Sequence, residues 1–270
     1  GEERGGRAHA RTVSARAAAR AAGRYPGVVG LSAQLVVLVC LAAAVAACVQ
    51  GSIGFGLGML TAPVLVLLDP AFAPFPLLAA SLPLSALVAY RERGAADWRG
   101  LPWVLAGRLP GTALGAAVVV LVAHRVLGVV IAGAVLLAVL LSVAAPRFVP
   151  TRRTLLAAGV ASGFMGTASS VGGAPVALVY QHAGGPRTRA TLSVVFVFGT
   201  AISMVVLALA GAVHRHELVL TALLLPGTLA GFALSGPVAR RIDKERMRGV
   251  VLATAGAAAL LLLVSSVVER

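Results

Sequence analysis

Charge is what this chain is short of. Only 12% of its residues are Asp, Glu, Lys or Arg, against about 25% in an ordinary soluble domain. The charges that occur are gathered into short clusters between long apolar runs. With 59% hydrophobic residues and a mean hydropathy of +0.95, the pattern excludes a soluble globular fold. It reads as an all-α, polytopic helical membrane protein in contact with the lipid bilayer. Acids are scarcer still, nine against 23 basic residues, for a net charge of +14. A balance that basic raises the question of nucleic acid. The positives flank apolar spans, however, as topology signals do, so no nucleic-acid partner is expected.

Other absences narrow the chemistry. Lys244 is the single lysine, which excludes a Ser–Lys pair in the membrane. Cys40 and Cys48 are the two cysteines. Eight residues apart on one helix, they are separated by about 12 Å along its axis, too far to bridge. No His-Glu-x-x-His, Walker Gly-x-x-x-x-Gly-Lys or Gly-x-Ser-x-Gly sequence is present, so no enzyme, cofactor or metal is called for. His214, His216 and Glu217 sit in a short connector without a third ligand at useful spacing, and a solvated loop is the better reading than zinc.

The apolar runs set the organisation. Tyr25 to Leu68 carries no charge at all, twice the roughly 20 residues that one crossing needs. One span over 28–48 and a shorter in-and-out element fit it. Spans over 70–90, 101–122 and 126–145 follow, then a broken hairpin over 154–181, then spans over 190–213, 218–239 and 249–268. Leu109-Pro-Gly-Thr-x-x-Gly115 recurs as Leu225-Pro-Gly-Thr-x-x-Gly231, and both copies run on to Val-Ala-x-Arg, at Arg125 and Arg241, without a gap. The expected division is therefore a basic tail (1–24), a first repeat (25–125), a second repeat (126–241) and a last span (242–270). The tail is read as cytoplasmic and disordered, and the membrane as the plasma membrane of a bacterial cell. If the Arg clusters at 91–99, 147–153, 187–189 and 240–248 all lie inside, the two copies have opposite orientation. That is the inverted-repeat architecture of many secondary carriers.

Each repeat contains a break. Gly51-Ser-Ile-Gly54-Phe-Gly56-Leu-Gly58, with Pro63 beyond, places four glycines in eight residues. Each costs a helix about 1 kcal/mol relative to Ala. Ser169-Ser170-Val-Gly172-Gly173-Ala-Pro175 is its counterpart. Broken backbone at membrane depth persists only where protein or a water-filled cavity covers it. Helices that begin there present free N–H groups suited to an anion. The serines add hydroxyls, and Pro63 and Pro175 suit a first helical turn. The competing reading is that these glycines only let helices pack closely, in a non-transporting assembly or anchoring protein.

These motifs resemble the TauE/SafE family of membrane transporters. Gly54-Phe-Gly-Leu-Gly58 with Pro63 matches its first glycine-rich motif, and Gly163 to Gln181 its second. Asp97-Trp98-Arg99 is similar to the family's Asp-Trp-Arg. Ser81 and Thr191-Leu-Ser193 are similar to its Ser and Thr-Ser positions after each hairpin. The first motif lacks the family's triple glycine, and Ser170 and Ala174 stand where glycine is common. The resemblance implies an exporter of small sulfur-containing or organic anions such as sulfite or sulfonates. It implies coupling to a proton or sodium gradient and is compatible with a homo-oligomer. The expected substrate-binding set is Gly54, Gly56, Gly58, Pro63, Ser81, Arg108, Ser169, Ser170, Gly172, Gly173, Pro175, Thr191 and Ser193. Arg108 lies inside a span, where it either holds an anion or reaches for the inner surface beside Arg99. Gln50 and Asp69 fit capping and turn roles.

Overall fold

The computed structural model describes residues 32–144, 148–241 and 244–268. Among them are ten α-helices and no strand. They are α1 (Ala33–Ile53), α2 (Leu57–Leu68), α3 (Phe75–Glu92), α4 (Leu101–Leu121), α5 (His124–Ala144), α6 (Arg152–Ser169), α7 (Gly173–Val179), α8 (Gly185–Leu209), α9 (Arg215–Arg241) and α10 (Lys244–Val268). By length and composition, seven segments could cross a membrane, those built on α1, α3, α4, α5, α8, α9 and α10. The chain is thus a polytopic helical membrane protein. The basic tail falls on residues 1–24 and lies outside the described residues.

Local chemistry sets the helix ends. Thr151 and Thr154 form a reciprocal capping box that starts α6, with Thr154 N donating to Thr151 Oγ1 at 3.3 Å and Thr151 N to Thr154 Oγ1 at 2.9 Å. Asp69 takes the turn role: its Oδ1 accepts from Ala71 N at 2.8 Å and starts a 3-10 turn over Pro70–Phe72. The first span does not stop near residue 48. The helix runs on to Ile53, and Gly51 is helical within it. A Cβ on Gly51 would meet the Ser235 side chain at 2.5 Å, so this glycine makes room for a neighbour.

The Leu-Pro-Gly-Thr-x-x-Gly copies are helix crossings. On α4, a Cβ at Gly107 or Gly111 would run into the Leu156 or Val160 carbonyl, and one at Gly115 would lie 2.7 Å from the Phe164 carbonyl. From the α6 side, Gly159 and Gly163 meet the Val104 and Arg108 carbonyls in the same way. On α9, Gly227 rests on the Cys40 carbonyl and Gly231 on that of Ala44, both in α1. Lipid tails are as apolar as Leu, so helices in a bilayer gain little from hiding side chains. Close backbone approach, with its dispersion and weak Cα–H···O contacts, supplies the attraction.

The order of these contacts fixes direction. Residues 107, 111 and 115 meet 156, 160 and 164 in turn, so α4 and α6 run parallel. Residues 227 and 231 meet 40 and 44, and Ser235 O accepts from Ser52 Oγ at 3.2 Å, so α1 and α9 run parallel too. α2 then returns to the start of α9, where Asp69 Oδ2 meets His216 Nε2 at 2.7 Å. α7 returns to the start of α4, where the Tyr180 hydroxyl donates to Asp97 Oδ2 at 2.9 Å. The finish of α1 lies near the finish of α3, because Arg91 Nη2 donates to the Gly51 carbonyl at 2.6 Å.

Candidate functional site

Both glycine-rich stretches interrupt their helices, each for three residues. The first break is Gly54–Gly56. Gly54 (φ 100°) and Gly56 (φ 138°) adopt conformations that a Cβ would strain. Gln50 holds the geometry: its Oε1 accepts from Leu57 N at 3.1 Å, which caps α2, while its Nε2 donates to Ser85 Oγ at 3.4 Å. The capping role expected of Gln50 is what it performs. The second break is Ser170–Gly172. Ser170 is left-handed (φ 62°), and its hydroxyl donates to the Pro74 carbonyl at 2.9 Å. The Gly172 carbonyl accepts from Ser162 Oγ at 2.6 Å.

The two breaks touch. A Cβ on Gly58 would run into the Ser170 carbonyl, and a Cβ on Gly173 would lie 2.9 Å from Phe55 Cβ and 3.0 Å from Phe196 Cζ. Beside their contact is a cavity of about 30 Å³ lined by Gly58 of α2 and by Ser170 and Gly172 of the second break, with Gln50, Ser81 and Arg108 among its other walls. Leu78, Gly166, Phe196 and Thr200 complete its described lining.

Arg108 dominates the electrostatics. It is 1% exposed and does not reach the surface. Its Nη1 donates to Ser162 Oγ at 2.8 Å, and its Nε has no partner. Among the described residues, no carboxylate forms an ion pair with it. Its guanidinium lies where Gly199 has no side chain, with Gly166 also close. Thr112 Oγ1, one turn along α4, is also buried without a partner. A desolvated cation with no counter-charge costs several kcal/mol. The unpartnered Nε lies over Gly199, and a guanidinium as a group suits a planar or tripodal oxyanion.

The family model described as sulfite exporter TauE/SafE matches residues 39–262, most of the chain. The protein belongs to the TauE/SafE family. It is therefore a membrane transporter of that family. No curated protein and no solved structure matches it significantly.

Within this TauE/SafE protein the expected residues separate into groups. Gly58, Ser81, Arg108, Ser170 and Gly172 line the cavity. Gly54, Gly56 and Gly173 shape the breaks beside it. Pro175 sits in the first turn of α7 as expected, whereas Pro63 lies mid-helix in α2, because Gln50 starts that helix as early as Leu57. Ser169 does not face the site: its hydroxyl returns to the Met165 carbonyl at 2.6 Å. Thr191 and Ser193 lie outside the cavity lining, and Thr191 Oγ1 instead accepts from Asp97 N at 2.9 Å. The family-like Asp97 is a structural clamp. Burial alone would raise its carboxyl's pKa. Hydrogen bonds from Tyr180 and Gly100 N, together with the Arg187 charge at 3.3 Å, outweigh that and hold it below the usual carboxylate range. Sequence reasoning missed Ser162, Gly166, Gly199 and Thr200. Small residues in apolar helices give no sign of which neighbour they face.

Proposed function

We propose that this protein is a secondary transporter, an exporter of small sulfur-containing or organic anions such as sulfite or sulfonates. The anion is held at the junction of the two breaks with Arg108 as its anchor. The observation that carries this reading is the buried guanidinium of Arg108, paired with no described carboxylate, on the wall of a cavity lined by Gly58 just past the first break and by Ser170 and Gly172 of the second. Glycine packing alone does not account for it. The α1–α9 seam uses glycine for close approach without any buried charge. At the junction, glycines instead make room for one.

The helix directions support an inverted repeat. α1–α2 leaves and returns to the end marked by Asp69 and His216. α6–α7 leaves and returns to the end marked by Asp97 and Tyr180. Read this way, the two hairpins open toward opposite ends of the bundle, and α1, α3, α4, α5, α8, α9 and α10 are the helices of a length to cross. The arginine-bearing ends of α3 and α8 face the cytoplasm, and a proton or sodium gradient drives flux. The test is sulfite and sulfonate flux in proteoliposomes. Arg108→Gln abolishes flux while the protein still inserts and purifies as a folded species. Arg108→Lys keeps a fraction, since it restores charge without the planar fork. Undiminished flux in Arg108→Gln would refute the site.

A further inference from the structure

The fold leaves a second, larger cavity that the Arg108 site does not use. It measures about 410 Å³ and lies where the first break, α7 and the start of α8 approach the last turns of α5 and the first of α10. Its described lining includes Arg189 and Arg248, with Gln181, Thr188 and Ser142, and holds no carboxylate. Arg248 Nη2 donates to the Ser142 carbonyl at 2.7 Å. Arg189 Nε contacts both oxygens of Glu92 at 3.0 Å, outside that lining. Arg248 thus faces the space with no described carboxylate partner, while Glu92 balances the charge of Arg189. The volume is in the range of small-ligand pockets, roughly 300–1,000 Å³.

Only a thin partition separates this space from the Arg108 cavity. Gly172 lines the small cavity and Ala174 the large one, so Gly173 stands between them. Phe55 faces the large cavity and Phe196 the small one, and both close on Gly173. Phe55 is also the one residue between Gly54 and Gly56, both with positive φ. Glycines on either side let a side chain swing at little backbone cost. Arg189 rests on that pivot, since a Cβ on Gly54 would lie 3.0 Å from Arg189 Cγ.

We infer that the 410 Å³ cavity is the inner mouth of the anion path, where Arg189 and Arg248 collect a small oxyanion or sulfonate. Phe55, swinging on Gly54 and Gly56 against Phe196, is the plug between that mouth and Arg108. An apolar plug suits the task, because a dewetted constriction blocks ions until it moves. The proposal rests on the anion-carrier reading, but the labelling test of the plug does not require transport.

The experiment places Ser81→Cys on the small cavity in full-length protein with Cys40→Ala and Cys48→Ala. A negatively charged methanethiosulfonate is then applied from each side of oriented vesicles. Phe55→Ala speeds labelling from the arginine-bearing face severalfold, and Phe55→Leu, which refills the volume, returns it toward the starting rate. Unchanged labelling in Phe55→Ala, or acceleration from the opposite face alone, overturns the plug. Arg248→Gln raises the KM for sulfite more than it lowers kcat; an unchanged KM overturns the collecting role. If Phe55→Ala accelerates labelling while Arg108→Gln still carries sulfite, the plug stands and the anion-site reading falls. If Arg108 proves essential and labelling does not move, the reverse holds.

Discussion

The two hairpins do similar work with different materials. The first break depends on backbone freedom, with two positive-φ glycines flanking Phe55 and one side chain, Gln50, tying α1 to α2. The second depends on hydroxyls, with Ser162 bridging Arg108 to the Gly172 carbonyl and Ser170 tied to Pro74. One is a pivot and the other a platform. A binding site that must both grip and release needs one wall that moves and one that does not.

The contrast can be broken most severely at the contact between the two walls. Gly173→Leu puts a branched side chain against Phe55 and Phe196, and it should abolish sulfite flux in proteoliposomes while membrane insertion stays normal. Gly58→Ala drives a Cβ into the Ser170 carbonyl; the expected loss is about 1–3 kcal/mol, read as a lower melting temperature in detergent. Substitutions within the breaks should separate pivot from platform. Gly54→Ala forces a positive φ on an L-residue, at about 1–2 kcal/mol, and should slow flux. Ser170→Gly keeps the left-handed turn and loses only the bond to Pro74, a net effect of about 1 kcal/mol or less.

The smallest expected effect lies at the far end of the platform. Because the folded-state pKa of Asp97 is depressed, its clamp on Tyr180 stabilises the fold at neutral pH. That contribution disappears as pH falls through the folded pKa, below the ordinary carboxylate range. Asp97→Asn should flatten this acid limb in a melting-temperature profile and leave the neutral-pH rank order of the other variants unchanged.

Much of this was legible in the residues, and the rest fails for identifiable reasons. Span lengths follow from how many apolar residues cross a bilayer, so the boundaries of α4, α5 and α8 to α10 fall within a few residues of those expected, except the starts of α8 and α10, which open at Gly185 and Lys244. The breaks are visible because four glycines in eight residues defeat a helix. Their exact extent is not, because Gly51 and Gly58 remain helical for the sake of what they touch across the bundle. Adjacent serines show the same limit. Ser169 turns back to its own helix and Ser170 reaches Pro74, according to where α6 stops. Arg108 left two readings open in sequence, and the missing side chains at Gly166 and Gly199, far along the chain, are what give it a buried berth.

The glycine seams carry a consequence for how the molecule can be taken apart. α4 is welded to α6, and α9 to α1, so each weld joins a helix before the α5–α6 connection to one after it. The chain is cross-laced rather than bipartite. Two fragments divided at that connection would each expose a bare glycine stripe that matches only the other. Co-expressed, they should find one another in the bilayer and restore the intact bundle, while either fragment alone should be degraded.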